Sequence, residues 1–292
     1  MTIRHFGFRR ALLATALTGA LLSALSAPLA TARDAGEGLG PVPGAGFGPG
    51  HSGPRPTIVL VHGAFADASS WSGVVERLQS EGYTVVAPAD PLRGLTTDSA
   101  YIASFLKSVK GPIVLVGHSY GGAVITQAAA GDKDVKALVY ISSFVPDKGE
   151  DLGTLNNKFP GSELNPALVQ VPFDNGTGKG GTGTDLYIDT AKFHRVFTAD
   201  LDPVQSAVLG ASQRPISATA FTDKTKAAAW HTIPSWALVA KEDRAISPEL
   251  ERFEAKRAHS HTIEINSSHV AMISHPDVVT RLIDDAAVTT AR

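Results

Sequence analysis

The stretch Ile113–Gly122 constrains this chain more than any other. Its first four residues, Ile-Val-Leu-Val, are apolar and three of them are β-branched, which is typical of a buried strand. Gly-x-Ser-x-Gly follows at once, with Ser119 between Gly117 and Gly121, and the alanine-rich residues 123–130 then predict a helix. A serine on so sharp a turn projects its hydroxyl above the sheet edge, and the glycines are needed because a Cβ would meet the neighbouring strand or helix. The pattern predicts a nucleophile elbow rather than an ordinary turn with a helix-capping serine.

Composition leaves room for one globular domain, with or without an insertion. The chain has 292 residues, of which 43% are hydrophobic and 18% charged, and its formal net charge is −2. This balance gives no indication of nucleic acid or of an anionic membrane as a partner. Cysteine is absent from the sequence, which excludes disulfides and thiolate chemistry.

The first 32 residues are typical of a secretory signal peptide. Arginines at positions 4, 9 and 10 precede an apolar stretch at 11–29, and Ala30-Thr31-Ala32 has the form of a cleavage site. A membrane anchor is the alternative, but the cleavage motif directly after the apolar stretch favours removal. We therefore expect a secreted or periplasmic protein without a stable membrane anchor. The sequence does not choose between the general and the twin-arginine export routes.

Residues 33–56, rich in glycine and proline, are predicted to form a flexible leader.

Residues 57–292 alternate between short apolar runs and stretches with helical periodicity. The apolar runs predict strands at 57–61, 84–87, 113–116, 137–141, 235–240 and 262–265. Asp98 is the predicted N-cap of the helix before the elbow strand. The fold class is therefore predicted as α/β, with a doubly wound, mostly parallel six-stranded sheet. The alternation breaks over residues 146–231, which we interpret as an inserted lid. Its run Gly176–Gly183 lacks the features of a phosphate loop and is predicted to be a mobile loop.

Two polar residues after the last two predicted strands complete a constellation with Ser119. A serine hydroxyl needs a base to remove its proton, and a histidine base needs a carboxylate to hold its tautomer. In sheets of this kind the acid and then the base follow the nucleophile in chain order, each on a loop after a strand. We therefore expect Ser119, Asp243 and His269 to be catalytic. Glu242, beside Asp243, and Asp147, after the fourth strand, remain alternative acids.

The other histidines are given no catalytic role. His118 lies inside the elbow and is expected to pack or to form a hydrogen bond, and His62 is expected to brace the loop after the first strand. His259 and His261 are interpreted as a solvated pair, because no third ligand stands at a spacing suited to zinc. His275 precedes a proline that starts a helix, which indicates a structural role. No metal or cofactor is expected.

An oxyanion needs two preorganised donors beside the nucleophile. The sequence points to the backbone amide of Tyr120, which follows the nucleophile, and to that of Ala64 in the loop after the first strand. Aromatic residues also cluster around these loops and in the lid. Phe65, Tyr187 and Phe193 are the predicted substrate-binding residues, and Phe173 and Phe197 belong to the same aromatic set. The lid aromatics could equally form the core of the lid, and the sequence leaves the two alternatives open.

With these residues placed, residues 56–290 resemble the α/β-hydrolase superfamily. Within it the chain is most similar to the compact branch of plant methylesterases, hydroxynitrile lyases and their bacterial relatives. The segments that carry the resemblance are His62-Gly63-Ala64 with Trp71 downstream, Gly117–Gly122, Phe144–Asp147 and His269–Pro276. The resemblance implies a six-stranded sheet with a small lid, and it implies Ser119, Asp243 and His269 as the triad.

Two departures from that branch bear on the chemistry. The lyases carry Thr where this chain has Gly63, and Lys where it has Val270, and those groups handle cyanide and its alcohol. Their absence argues for ester hydrolysis. Ala240 stands at a position where members of that branch usually carry a glycine, and this difference is minor. The glycine-rich lid segment does not match the plant members, so their substrates do not carry over.

The sequence thus predicts an exported serine hydrolase that cleaves small-molecule carboxylic esters through an acyl-enzyme, without a cofactor. A lyase or a perhydrolase on the same fold is the alternative within catalysis. A ligand-binding homologue without turnover is the alternative outside it. The oligomeric state is not predicted.

Overall fold

The computed structural model describes residues 54–174 and 181–291, all of them within the compact unit Gly44–Arg292. The predicted signal peptide, residues 1–32, lies outside the described residues. So do residues 33–53 of the predicted leader and residues 175–180 of the glycine-rich run.

The strands fall into one large parallel sheet and one small antiparallel sheet. Among the described residues they are, in chain order, β1 Thr57–Val61, β2 Thr84–Val86, β3 Ile113–His118, β4 Val135–Ile141, β5 Leu168–Asp174, β6 Thr182–Ile188, β7 Ile216–Ser217, β8 Ser235–Ala240 and β9 His261–Ile265. The large sheet has the order β2-β1-β3-β4-β8-β9, and each neighbouring pair is parallel. Its central strands are buried on both faces, which explains why they read as continuous apolar runs.

Helices cover the large sheet and fill the segment between β4 and β8. They are α1 Ser72–Ser80, α2 Leu95–Leu106, α3 Tyr120–Ala128, α4 Leu152–Asn156, α5 Thr190–Phe197, α6 Pro203–Ser212, α7 Thr219–Thr222, α8 Pro248–Arg257, α9 Ala271–Ser274 and α10 Pro276–Thr290, with 3-10 turns at Ala68–Trp71, Asn165–Ala167 and Ala229–His231. Within the part of the chain that the structure describes, no helix is long and apolar enough to cross a membrane.

The six predicted strands of the parallel sheet are confirmed, with bounds that differ by at most two residues. The predicted N-cap of α2 is wrong, because α2 begins at Leu95 and Asp98 lies inside its first turn. The Asp98 carboxylate instead reaches backwards and accepts from the amides of Arg93 at 2.9 Å and Gly94 at 3.1 Å. An acidic residue in the first turn can satisfy the same unpaired amides from within the helix, as in a capping box.

The segment interpreted as an inserted lid contains the small antiparallel sheet, in the order β5-β6-β7, together with α4 to α7. Part of the predicted mobile loop is strand instead, because Gly183 belongs to β6 and pairs with Phe173 of β5. The Phe173 ring occupies the space that a Cβ at position 183 would need. A glycine opposite an aromatic residue is a known way to stabilise a strand pair, which explains why a glycine here is compatible with a strand.

Glu254 is a buried acid that ties α8 to the end of β4. Its Oε2 accepts a hydrogen bond of 2.9 Å from the amide of Val145, and its Oε1 lies 3.6 Å from Nη2 of Arg257. Burial raises the pKa of Glu254 to about 8, although the Val145 amide and the Arg257 charge lower it. The neutral carboxyl is therefore the form that suits this position.

We expect the Glu254→Gln variant to gain stability relative to the natural protein as pH rises. A folded-state pKa above the unfolded one means that the native state loses stability between the two values, from about pH 4.5 to about pH 8. Thermal unfolding at pH 5 and pH 9 measures the effect. The exposed Glu249 on the same helix supplies the control, and Glu249→Gln should show no such trend. An equal difference in melting temperature at both pH values would contradict the assignment.

Candidate active site

Ser119 stands on a strained turn between β3 and α3. Its backbone has φ 54° and ψ −122°, a left-handed φ that residues with a Cβ rarely adopt. The turn is held by hydrogen bonds on both sides, because the Ser119 amide donates to Ile141 at 3.2 Å and its carbonyl accepts from Gly122 at 3.0 Å. The predicted elbow conformation is therefore present, with neighbouring backbone holding the strain.

The glycines around Ser119 are required by close contacts between backbones. A Cβ on Gly117 would lie 2.6 Å from the carbonyl oxygen of Gly121, and one on Gly121 would lie 2.6 Å from that of Val61. A Cβ on Gly122 would lie 2.7 Å from the carbonyl oxygen of Phe144. Side chains at these positions are excluded because the atoms they would meet are backbone, which cannot rotate away.

Asp243 and His269 meet at the carboxyl ends of β8 and β9. Oδ2 of Asp243 lies 2.5 Å from Nδ1 of His269, and both side chains are almost completely buried. Oδ1 of Asp243 accepts from the amides of Ala245 at 2.7 Å and Ile246 at 2.9 Å. The carboxylate is thereby fixed in direction and holds the imidazole in one orientation, as a base-orienting acid would.

The two alternative acids lie elsewhere. Asp147 is bonded to Nε2 of His231 at 3.0 Å, and these side chains are 35% and 55% exposed. Glu242 is exposed at the surface. Of the three candidate acids, Asp243 alone contacts His269.

The second ring nitrogen of His269 has the environment of a proton acceptor. Nε2 is buried and has no hydrogen-bond partner among the described residues, including the hydroxyl of Ser119. His118, the neighbour of Ser119 in β3, donates from its own Nε2 to the backbone carbonyl of His269 at 2.9 Å. The loop that carries His269 is therefore attached directly to the elbow.

His118 remains neutral beside His269. Burial lowers the pKa of His118 well below its ordinary value, and the neighbouring His269 lowers it further. The two rings lie 4.7 Å apart between centroids. The expectation that His118 packs and forms a hydrogen bond rather than titrating agrees with these contacts.

The loop after β1 presses against the elbow. A Cβ on Gly63 would lie 2.7 Å from Cβ of Ser119, so the backbone passes as close as a glycine allows. Ala64 is buried, and its amide has no hydrogen-bond acceptor within residues 54–174 and 181–291. Tyr120 is the first residue of α3, so its amide has no acceptor inside the helix. The two predicted oxyanion donors thus belong to backbones that flank Ser119.

His62 braces this loop as a neutral imidazole. Its Nε2 accepts from the amide of Asp90 at 2.9 Å, so its Nδ1 carries the proton and donates to the carbonyl of Gly63 at 2.9 Å. Burial lowers the pKa of His62 to about 4, although the Gly63 hydrogen bond raises it. The expected bracing role is confirmed by these two contacts.

Asp200, after α5 in the lid segment, holds the loop that carries His269, and sequence reasoning missed it. Its Oδ2 accepts from the amide of Ser268 at 3.0 Å and from the hydroxyl of Ser267 at 3.1 Å. Its Oδ1 accepts from the hydroxyl of Ser268. No pattern distinguishes Asp200 from a surface aspartate, and the only hint is the pair of serines directly before His269.

The aromatic residues divide into two places. Phe197 packs on His269 with ring centroids 4.9 Å apart and on Phe65 at 6.0 Å. Together with Phe193 and Val270, these two phenylalanines line a narrow cavity of about 40 Å³. Phe193 and Phe197 are buried, so they line this cavity and pack the lid at once.

Tyr187 does not share that cavity. It lines a separate groove of about 430 Å³ with Val169 and Val171 on the small antiparallel sheet. The structure therefore brings together two of the three predicted substrate-binding residues, Phe65 and Phe193, and places the third in another groove.

A metal site is not found in the described part of the chain. No group of three or more histidine, aspartate or glutamate side chains there could hold an ion.

Solved structures with the same fold cover most of this chain. Polyneuridine aldehyde esterase superposes with a TM-score of 0.69 at 19% identity, over 80% of this chain and 99% of its own. A variant of tomato methylketone synthase I complexed with beta-ketoheptanoate gives a TM-score of 0.67 at 21% identity, over 81% of this chain and 99% of its own. At these identities the likeness establishes the fold.

Sequence relatives point the same way. The alpha/beta hydrolase nvfD of Aspergillus novofumigatus is 27% identical over 257 residues, which are 80% of this chain and 97% of that protein. Methylesterase 8 of Arabidopsis thaliana is 26% identical over 67% of this chain and 75% of its own length. A carbendazim hydrolyzing esterase of a Nocardioides species is 32% identical, over 38% of this chain and 52% of that protein.

The resemblance to the methylesterase branch is thereby confirmed. The family described as the alpha/beta hydrolase family matches residues 58–282, from β1 into α10. With a parallel six-stranded sheet, a serine elbow after the central strand and a family match over most of its length, this chain belongs to the alpha/beta hydrolase family.

Proposed function

We propose that this protein is a serine hydrolase that cleaves carboxylic esters of small molecules, with Ser119 as nucleophile, His269 as base and Asp243 as the acid that orients the base. The observation that carries the proposal is the contact of 2.5 Å between Asp243 and Nδ1 of His269, whose other nitrogen is buried and unpaired among the described residues. Serine at a left-handed φ beside that loop supports its role as nucleophile.

Acylation begins when Ser119 Oγ attacks the ester carbonyl carbon. The hydroxyl proton passes to Nε2 of His269, and the imidazolium that forms is stabilised by the Asp243 carboxylate at Nδ1. The carbonyl oxygen takes up the negative charge and is stabilised by the amides of Ala64 and Tyr120. When the tetrahedral intermediate collapses, the C–O bond to the alcohol breaks, and His269 returns its proton to the departing alkoxide.

Deacylation repeats the sequence with water. His269 removes a proton from the water molecule as its oxygen attacks the acyl carbon, and the same two amides stabilise the second oxyanion. The bond to Ser119 Oγ then breaks, the serine regains its proton from His269, and the carboxylic acid leaves. No cofactor takes part in this scheme.

The proposed substrates are uncharged esters with an apolar group near the base. The cavity bounded by Phe197, whose ring packs on His269, is lined by phenylalanine and aliphatic side chains and also by Asp67 and three serines. The apolar walls suit an apolar group, and the Asp67 carboxylate disfavours an anionic one. The relatives carry names such as methylesterase, carbendazim hydrolyzing esterase and pyrethroid hydrolase, which supports ester cleavage without selecting one substrate. A panel of esters that vary in acyl chain and alcohol would separate the specificities, and product analysis would separate hydrolysis from lyase or perhydrolase chemistry.

We also propose that the protein is exported and that residues 1–32 are removed. The support is the basic start, the apolar stretch and the Ala30-Thr31-Ala32 motif. Expression of the full chain in a bacterial host, followed by N-terminal sequencing of the periplasmic or culture fraction, should give a chain that begins at Arg33. A protein that stays in the membrane fraction with its first residues intact would favour the anchor instead.

The Ser119→Ala variant should lose ester turnover while its thermal unfolding stays close to that of the natural protein. The serine hydroxyl is the only group that forms the acyl bond, and the alanine keeps the same backbone without adding atoms. A fluorophosphonate probe should label the natural protein at Ser119, as read by peptide mass spectrometry, and leave the variant unlabelled. Turnover retained by Ser119→Ala would refute the nucleophile.

Asp243→Asn should reduce kcat by about 10⁴-fold, because an amide facing Nδ1 of His269 favours the wrong tautomer. Asp147→Asn is the matched control, since Asp147 lies after β4 and pairs with the exposed His231. The control should retain the kcat of the natural protein. If Asp147→Asn were the more damaging substitution, the acid would have been assigned to the wrong strand.

A further inference from the structure

Glu251 lies behind the Asp243–His269 pair and has no role in the scheme above. It belongs to α8 and is 3% exposed. Its Oε2 accepts a hydrogen bond of 3.0 Å from the amide of Ala240, the last residue of β8. The carbonyl of the same Ala240 accepts a hydrogen bond of 3.1 Å from the amide of Asp243, so both acids are bound to one residue, and the Asp243 carboxyl contributes to the raised pKa of Glu251. Two buried acids therefore meet directly behind the proposed base.

The hydrogen bonds of Asp243 leave one acceptor position open. An ionised carboxylate offers about four lone-pair positions, two on each oxygen. The amides of Ala245 and Ile246 use both positions on Oδ1, and Nδ1 of His269 uses one on Oδ2. The remaining position can take one more donor.

Glu251 can be that donor only if it holds a proton. Its Oε1 is buried and has no donor among the described residues. If Glu251 and Asp243 were both ionised, each would offer the other only acceptors, and no hydrogen bond could form between them. Burial raises the pKa of Glu251 well above its ordinary value, and the Asp243 charge raises it further. Glu254, one turn along α8, also raises it, whereas the Ala240 amide lowers it.

The proton belongs on Glu251 rather than on Asp243. Asp243 is stabilised as an anion by two amides and by the Nδ1–H of His269, whereas Glu251 has the single amide of Ala240. Hydrogen bonds to the charged form favour ionisation of the acid that has more of them.

We propose that Glu251 is a positioning residue that keeps its proton in the folded enzyme and donates it from Oε1 to the Asp243 carboxylate. The proposal rests on the proposed function, because Asp243 matters to catalysis only if His269 is the base. Glu251 fixes the direction of Asp243 without adding a second negative charge behind the imidazole. Ionisation of Glu251 at high pH would replace this hydrogen bond by repulsion and misalign Asp243.

Infrared spectroscopy tests the protonation without using activity. The difference spectrum between the natural protein and Glu251→Gln at pH 7 should contain the C=O stretch of one protonated carboxyl, shifted in D₂O. Glutamine is close to glutamate in size and can donate from its amide to Asp243, so the fold should be preserved. A difference spectrum that contains only ionised carboxylate bands would overturn the proposal, whatever the outcome with Ser119→Ala.

The pH profile of kcat/KM provides the second readout. If Glu251 is protonated, Glu251→Gln should leave the acidic limb of this profile at the same pH as in the natural protein. The decrease in kcat/KM at alkaline pH that Glu251 ionisation causes in the natural protein should be absent from the variant. If Glu251 were ionised instead, removing its charge would disfavour the protonated imidazole and move the acidic limb to lower pH. That shift would contradict the proposal.

Two further variants separate positioning from general packing. Glu251→Leu fills the space without a donor, and it should lower kcat by about 10-fold or more, because a hydrogen bond to a charged group is lost. Glu254→Gln changes a buried acid on the same helix that bonds to Val145, and it should leave kcat at pH 7 and the acidic limb unchanged. Equal kcat in Glu251→Leu and Glu251→Gln would show that the donor is not needed.

Discussion

The structure depends on how closely the backbone of α3 approaches the backbones of β1 and β3. Gly121 lies against the carbonyl of Val61, and Gly117 lies against Gly121, at separations that exclude any side chain. This contact places the first turn of α3 directly above the sheet edge and forces Ser119 into a left-handed φ. Because β3 has β1 on one side and β4 on the other, the loops after all three strands converge on the same serine.

The electrostatics of the site follow from burial. His62 and His118 are both buried, and burial lowers the pKa of each, so they act as neutral donors and acceptors that connect loops. His269 alone among these three has a carboxylate on one nitrogen and an unpaired second nitrogen. The other two imidazoles connect the elbow to the neighbouring loops as neutral groups.

Much of the sheet and of the candidate site could be predicted because the signals are local. Apolar runs of four to six residues mark the central strands, which are buried on both faces, and the Gly-x-Ser-x-Gly pattern marks the turn that carries Ser119. The order of acid and base along the chain then placed Asp243 and His269 after the last two strands, where they meet. The proposed oxyanion donors could be named for a different reason, because they are backbone amides beside the elbow.

The contacts that escaped prediction join residues of ordinary type across long separations. Asp200 binds Ser267 and Ser268, which follow it by 67 and 68 positions in the chain. Glu251 is a neighbour of Asp243 only because α8 folds back on the end of β8. Nothing local distinguishes either acid from a surface residue. Gly183 was interpreted as part of a loop because the aromatic ring that covers it, Phe173, comes from the partner strand. Register between strands is a tertiary property that a single segment does not encode.

The hydrogen bonds between Asp200 and the serines before His269 join the inserted segment to the loop that carries the proposed base. Asp200 stands in the inserted segment, and the same segment lays Phe197 on the imidazole of His269. A displacement of Asp200 would remove three hydrogen bonds from that loop. The position of the inserted segment and the orientation of His269 are therefore coupled.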